Sequence, residues 1–415
     1  MNSEQIFYII IGIVSTQFIF EQWLDYLNHK RVSAVIPKEL EGIYNEEQYA
    51  KQQNYKKANY SFGLVSDVLS FIVMLAMLFL GGFALIHRWV EALSDSVIMQ
   101  SLLFFAIIGL GSSIISLPFS IYGTFVIEER FGFNKTSPKT FVLDLIKSML
   151  LSVVIGGPLM ALIIWLYTIA GDSFWLYAWM VISGFTVFMT MFYTSVILPL
   201  FNKQTPLEAG ELREAIETFS NKAGFKLDNI FVMDGSKRST KANAFFSGLG
   251  SRKRIVLYDT LINDLSTEEI VAVLAHEVGH YKLKHTLWGT IIGVLQMGII
   301  LFVFGLVVGN PLLSQALGVT EPNFHMGLLV FGILYTPVSF LTGIIMSVLS
   351  RKNEYAADAF ANSFGLGKAL INGLKTISSN ALSNLTPHRL YVFFHYSHPP
   401  LLQRIRAINN SETVK

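Results

Sequence analysis

Seven apolar runs, each long enough to cross a bilayer, dominate the pattern of hydrophobic and polar positions along this 415-residue chain. A helix needs about 20 mainly apolar residues to span the hydrocarbon core. Such runs occur at Gln5–Tyr26, Phe62–Ile86, Val97–Ile127, Phe141–Ala170, Phe174–Phe201, Thr286–Gly309 and Met326–Ser350. The first is the weakest, since its apolar stretch from Ile6 to Phe20 gives way to Glu21 and Asp25. No cation precedes it and no small-residue cleavage site closes it, so it predicts a retained helix rather than a signal peptide. Spans three and four are long enough to tilt or protrude.

Two polar stretches complete the pattern. The chain divides into a membrane part, 1–201 (spans one to five), a soluble segment, 202–285, spans six and seven at 286–350, and a tail at 351–415. In the soluble segment Leu212, Ile216, Phe219 and Ala223 recur at helical spacing. Three β-rich runs follow, Asn229–Met233, Ala242–Phe246 and Arg254–Tyr258, with Gly248 and Gly250 marking a turn between the last two. Ser266-Thr-Glu-Glu269 is a capping-box pattern, and it predicts a helix running to His285.

Composition sharpens the class. Only 14% of residues are charged and mean hydropathy is +0.49, against about 25% charged in soluble domains. The fold class is therefore a mainly α, polytopic membrane protein with seven transmembrane helices and a small α/β portion. Of 31 Lys and Arg, 29 fall on one side: between spans one and two, three and four, five and six, and after span seven. The opposite side holds only Arg88, and Lys147 lies within span four. The positive-inside rule then puts the N-terminus outside and the C-terminus in the cytoplasm. Lys147 follows Asp144 by three residues, so the two can form an ion pair or line a cavity. A net charge of +2 and no basic stripe give no reason to expect nucleic acid.

The absence of cysteine excludes disulfides, thiolate metal sites and cysteine nucleophiles. Any metal must be held by His, Asp or Glu. His276-Glu277-Val-Gly-His280 places two histidines four apart on the predicted helix, so both rings can share one Zn²⁺, with Glu277 one step round. Catalytic zinc takes three protein ligands and keeps a fourth position for water, whose pKa falls to about 7. Glu277 would take that water's proton as general base and deliver it to the leaving amine. The plainer alternative is two surface histidines. For the third ligand His285 is set aside, since on a continuing helix it points about 180° from His276 and about 140° from His280; it is expected to be dispensable for metal. Asn353-Glu354-Tyr-Ala-Ala-Asp358 is the better source: Glu354 is assigned to zinc, and Asp358 to orienting a ligand histidine through its free ring N–H.

These residues resemble the integral-membrane zinc proteases of the CAAX prenyl protease 1 family, the type I CAAX endopeptidases. The resemblance spans nearly the whole chain. It includes Phe20-Glu-Gln-Trp-Leu24, Glu129-Arg-Phe-Gly-Phe-Asn134, Ser236-Lys-Arg-Ser239, Asn243-Ala-Phe-Phe246, Arg254–Thr260, His276–His280, Asn353–Asp358 and Tyr396-Ser-His-Pro-Pro400. It implies seven helices around an intramembrane chamber, closed on its cytoplasmic side by one zinc ion on His276, His280 and Glu354. It also implies Asn243 as a substrate contact, His398 as an oxyanion stabiliser and Arg404 as a support of that region; His395 has no matching role. A peptide or protein substrate, in some members prenylated, would add as a strand at the edge formed by Ala242–Phe246, with Asn243 fixing its backbone.

Two other readings compete. Membrane quality-control proteases of the HtpX type share the metal motif but have fewer spans. A seven-helix transporter or receptor with an incidental HExxH would tend to show internal repeats, and none is visible. The style of residues 237–284 looks bacterial, which favours an inner (cell) membrane; a eukaryotic chain would sit in the endoplasmic reticulum.

Overall fold

The computed structural model describes residues 2–31, 36–225, 230–247 and 254–412. The turn expected at Gly248 and Gly250 lies outside these residues. Among the described residues seven helices are long and apolar enough to cross a membrane: Ser3–His29, Glu46–Phe79, Val97–Phe131, Pro138–Ile169, Gly171–Phe201, His285–Val307 and Phe324–Ser363. Their ends differ from the apolar runs for local reasons. The second begins sixteen residues early, where Asn45 and Gln48 close a capping box. It also stops short of Ile86, because Gly81 takes a left-handed φ of 67°. The chain restarts as Gly82–Leu93, which lays Phe83, Ala84, Ile86 and Val90 into the bundle's end. The seventh helix, at 40 residues, is about 60 Å long and overshoots a hydrocarbon core of about 30 Å.

Each span packs against the next in chain order, and the seventh returns to the first. The seven form a closed ring. Their buried contacts gather at its two ends. At one end Ile6, Ile10, Leu78, Val90, Phe104 and Met326 form one cluster, and Ile164, Phe174, Phe304 and Phe324 form another. At the other end lies the larger core of the soluble portion. Between them little is covered: 6–11% of each span's most apolar window is buried. A bundle packed to its axis buries a face of every helix; this ring leaves its middle open, facing lipid outside and a hollow within.

The soluble portion is a four-stranded sheet against helices. Strands β1 (Gln204–Pro206), β2 (Ile230–Met233), β3 (Ala244–Ser247) and β4 (Arg254–Tyr258) lie in the order β1-β2-β4-β3. β2 and β4 are parallel, while β3 runs antiparallel to β4 and forms the sheet's edge. The helix Glu211–Lys222 buries Ile216 and Phe219 as its spacing predicts. Of the two readings for Asp144 and Lys147, the ion pair is not made. Asp144 instead takes two hydrogen bonds from Arg238, at 2.8 and 2.9 Å, and Lys147 donates to the Leu200 carbonyl at 2.7 Å. Arg238 offers a planar fork that matches a carboxylate, so this contact pins the sheet to span four.

Candidate metal centre

The helix Thr267–Lys282 starts at the expected capping box, with Ser266 accepting from the Glu269 N–H and Glu269 reaching back. It then buries Ile270 through His276 without a break. A helix covered on every side is a central one. Its neighbour is the C-terminal half of the Phe324–Ser363 helix, and the two meet at Gly279. A Cβ on Gly279 would lie 3.1 Å from the Ala357 Cα and 3.1 Å from the Phe360 Cβ. Glycine in a helix costs about 1 kcal/mol against alanine; here it lets two backbones come close enough for His276, His280 and Glu354 to meet.

These three side chains converge on one point. The Nε2 atoms of His276 and His280 are 3.1 Å apart, and the Glu354 carboxylate lies 3.5 Å from the first and 3.3 Å from the second. Donors held tetrahedrally at about 2.0–2.1 Å from an ion stand about 3.3 Å from one another. The three could hold one metal ion. A further observation fits: Glu354 Oε2 is buried and has no hydrogen-bond partner. Two ring nitrogens and an orphaned carboxylate oxygen facing a common point form a donor set in want of a cation.

Around the donors lies a second layer. Asp358, 1% exposed, accepts from His276 Nδ1 at 2.9 Å. Arg404 grips the same carboxylate through Nε at 2.9 Å and Nη2 at 2.6 Å, and its Nη1 stands 3.7 Å from Glu354. Burial works against charge on His276, but the Asp358 carboxylate hydrogen-bonded to it and the Glu354 carboxylate 3.5 Å away outweigh it and hold the ring's pKa up to about 9. A metal binding at Nε2 must therefore displace a proton. Glu277 is half-buried beside these groups. Burial pushes its carboxyl up from the usual carboxylate range, and the neighbouring His276 and His280 oppose that rise.

His398 also reaches the centre, its Nε2 lying 3.3 Å from Glu354 Oε1 while Nδ1 meets the Ser397 hydroxyl at 3.0 Å. Arg351 holds that tail turn by donating to the Val392 and Tyr396 carbonyls. Asn243 is placed differently: its side-chain Oδ1 accepts from the Ala244 N–H at 2.9 Å and its backbone carbonyl from the Tyr258 N–H at 3.1 Å, at the head of β3. His395 pairs with Glu21 at 3.2 Å.

One expectation about His285 changes. The helix does not continue to it, for Lys284 takes a left-handed φ of 60° and His285 opens the sixth span. His285 Nδ1 then lies 3.0 Å from His280 Nδ1, on the side of the ring away from the donors. It stands outside the group of His276, His280 and Glu354, yet it touches His280. Hydrophobic periodicity carries no sign of this, because the sign of one φ angle is not written in it.

Two family models match the chain. "CAAX prenyl protease N-terminal, five membrane helices" matches residues 25–203, and "Peptidase family M48" matches residues 206–412. The chain is 36% identical to a CAAX prenyl protease 1 homolog of Arabidopsis thaliana, over 97% of each chain. It is 34% identical to CAAX prenyl protease 1 of Saccharomyces cerevisiae, over 97% of this chain and 94% of that one. A solved structure, the crystal structure of S. mikatae Ste24p, superimposes with a TM-score of 0.93 at 35% identity, covering 97% of this chain and 99% of that chain. These relatives are eukaryotic and lend nothing to the bacterial source that residues 237–284 suggest.

Proposed function

We propose, from the premise that this chain belongs to the CAAX prenyl protease 1 family and is a metalloprotease, that it uses one zinc ion to cleave peptides near the C-terminus of prenylated CAAX-type proteins at the membrane surface. The observation that carries this is the convergence of His276, His280 and Glu354 at the end of a hollow helical ring. A donor set of two His and one Glu is that of zinc hydrolases. Bound there, zinc supplies Lewis-acid polarisation and an acidified water.

The chain's own residues do the rest. Glu277, not among the three donors, takes a proton from water and passes it to the departing amine. Asp358 and Arg404 hold the His276 ring in its ligating orientation. The substrate backbone adds to the edge of β3, with Asn243 at the head of that strand. His398 donates a hydrogen bond to the peptide oxygen as charge develops on it.

The direct test is a mass-spectrometric cleavage map of a farnesylated CAAX peptide and its unprenylated twin. Release of the three terminal residues from the farnesylated peptide is expected; cleavage of both alike removes the prenyl requirement.

His398→Ala is expected to lower turnover by about 10²–10³ while zinc content stays the same, because the donor acts where transition-state charge appears. A rise in KM alone, at normal turnover, makes His398 a binding residue instead.

The charge asymmetry supports a cytoplasmic side for residues 202–285 and the tail, in the inner membrane of a bacterium or the endoplasmic reticulum of a eukaryote. Reporter fusions at Lys415 and between residues 310 and 324 should give opposite sidedness. The same side for both overturns the topology.

A further inference from the structure

We infer that His285 is a positioning residue for the metal ligand His280, brought to it by a left-handed Lys284. This rests on the metal-centre reading above. Among the described residues only Lys284 and Leu382 take a positive φ without being glycine. A left-handed backbone is unfavourable for a side-chain-bearing residue, and it persists where its surroundings impose it. Here it does something specific. On an unbroken helix His285 would stand about 140° round from His280. With Lys284 at φ 60°, ψ 27°, the sixth span restarts so that the two rings meet edge to face, 5.1 Å between centroids.

The chemistry of that contact is constrained. His280 offers Nε2 toward His276 and Glu354. A neutral imidazole that ligates through Nε2 carries its proton on Nδ1. That N–H needs an acceptor, and His285 Nδ1 stands 3.0 Å away. Donation fixes both tautomers: His280 is protonated at Nδ1, and His285 at Nε2. The two ligand histidines are thus oriented by different means. His276 leans on the carboxylate of Asp358 at 2.9 Å, and His280 leans on a neutral ring that belongs to a membrane-spanning helix. Outer partners of ligand histidines are worth about 10–100-fold in metal affinity.

The test is a zinc titration, against a competing chelator, of the full-length metal-stripped protein in detergent. It compares wild type, His285→Phe, His285→Asn and Glu354→Ala, with thermal melting of each metal-free form. His285→Phe keeps a ring without an acceptor, so its zinc affinity should fall about 10–100-fold with its metal-free melting unchanged. His285→Asn keeps a side-chain acceptor and should hold affinity close to wild type. If the Phe variant binds like wild type while Glu354→Ala loses zinc, His285 merely opens span six and the inference is wrong. If Phe and Asn variants lose affinity alike and both melt early, the role is packing, which also overturns it. Retention of zinc by Glu354→Ala would fail the metal centre itself, a separable result.

Discussion

Glu277→Gln is expected to keep zinc and fold while hydrolysis falls by about 10²–10⁴-fold. Glutamine preserves the shape of the side chain and cannot accept a proton. The three donors, His276, His280 and Glu354, are untouched, so metal should remain stoichiometric. The pH profile adds a second reading. Burial raises the Glu277 carboxyl above its ordinary 4.5, with His276 and His280 opposing. A base must be deprotonated to work, so wild-type activity should fall as pH drops through that raised value, and the acid limb of kcat/KM should begin above 4.5. The residual activity of the Gln variant should lack that limb. Turnover within about tenfold of wild type, at full zinc occupancy, would sink the role of Glu277.

What could be read in advance follows the range over which each signal acts. Spans are legible because hydropathy sums over some twenty neighbouring residues, and all seven runs correspond to helices. Their ends are not, since Gly81 and Lys284 break helices through single backbone angles. The metal-centre residues are legible for a related reason. His276 with His280, and Glu354 with Asp358, are each four apart, a spacing that a helix converts into a shared face. That the two helices would meet at Gly279 is a tertiary fact, and a lone glycine between histidines gives no hint of the backbone it must admit. Asp144 shows the limit most plainly. The sequence offers Lys147 three residues on, and the fold supplies Arg238, ninety-four residues on, with a better-shaped donor. His398 was visible only through family resemblance, for nothing in Ser-His-Pro-Pro says which carboxylate the ring will face.

Glu354→Ala should behave unlike the Glu277 variant and lose metal and activity together. Glu354 is the one anionic donor of the three, and it comes from a helix different from the one that carries both histidines. Without it, His276 and His280 remain as two neutral donors, and no anionic donor offsets the cation beside the buried Arg404 guanidinium. The fall in zinc affinity should therefore exceed the 10–100-fold expected when only an outer partner of a ligand is lost. Glu354→Gln sharpens the comparison, since it restores the volume and a neutral oxygen but not the charge; it too should fail to hold zinc. The fold should survive both changes. Arg404 keeps its two-point grip on Asp358, and the helix remains anchored by its membrane half. Metal content and melting of the metal-free protein are the measurements. Stoichiometric zinc in Glu354→Ala, with loss in His398→Ala, would move the third ligand to the tail histidine, whose Nε2 lies 3.3 Å from the Glu354 carboxylate.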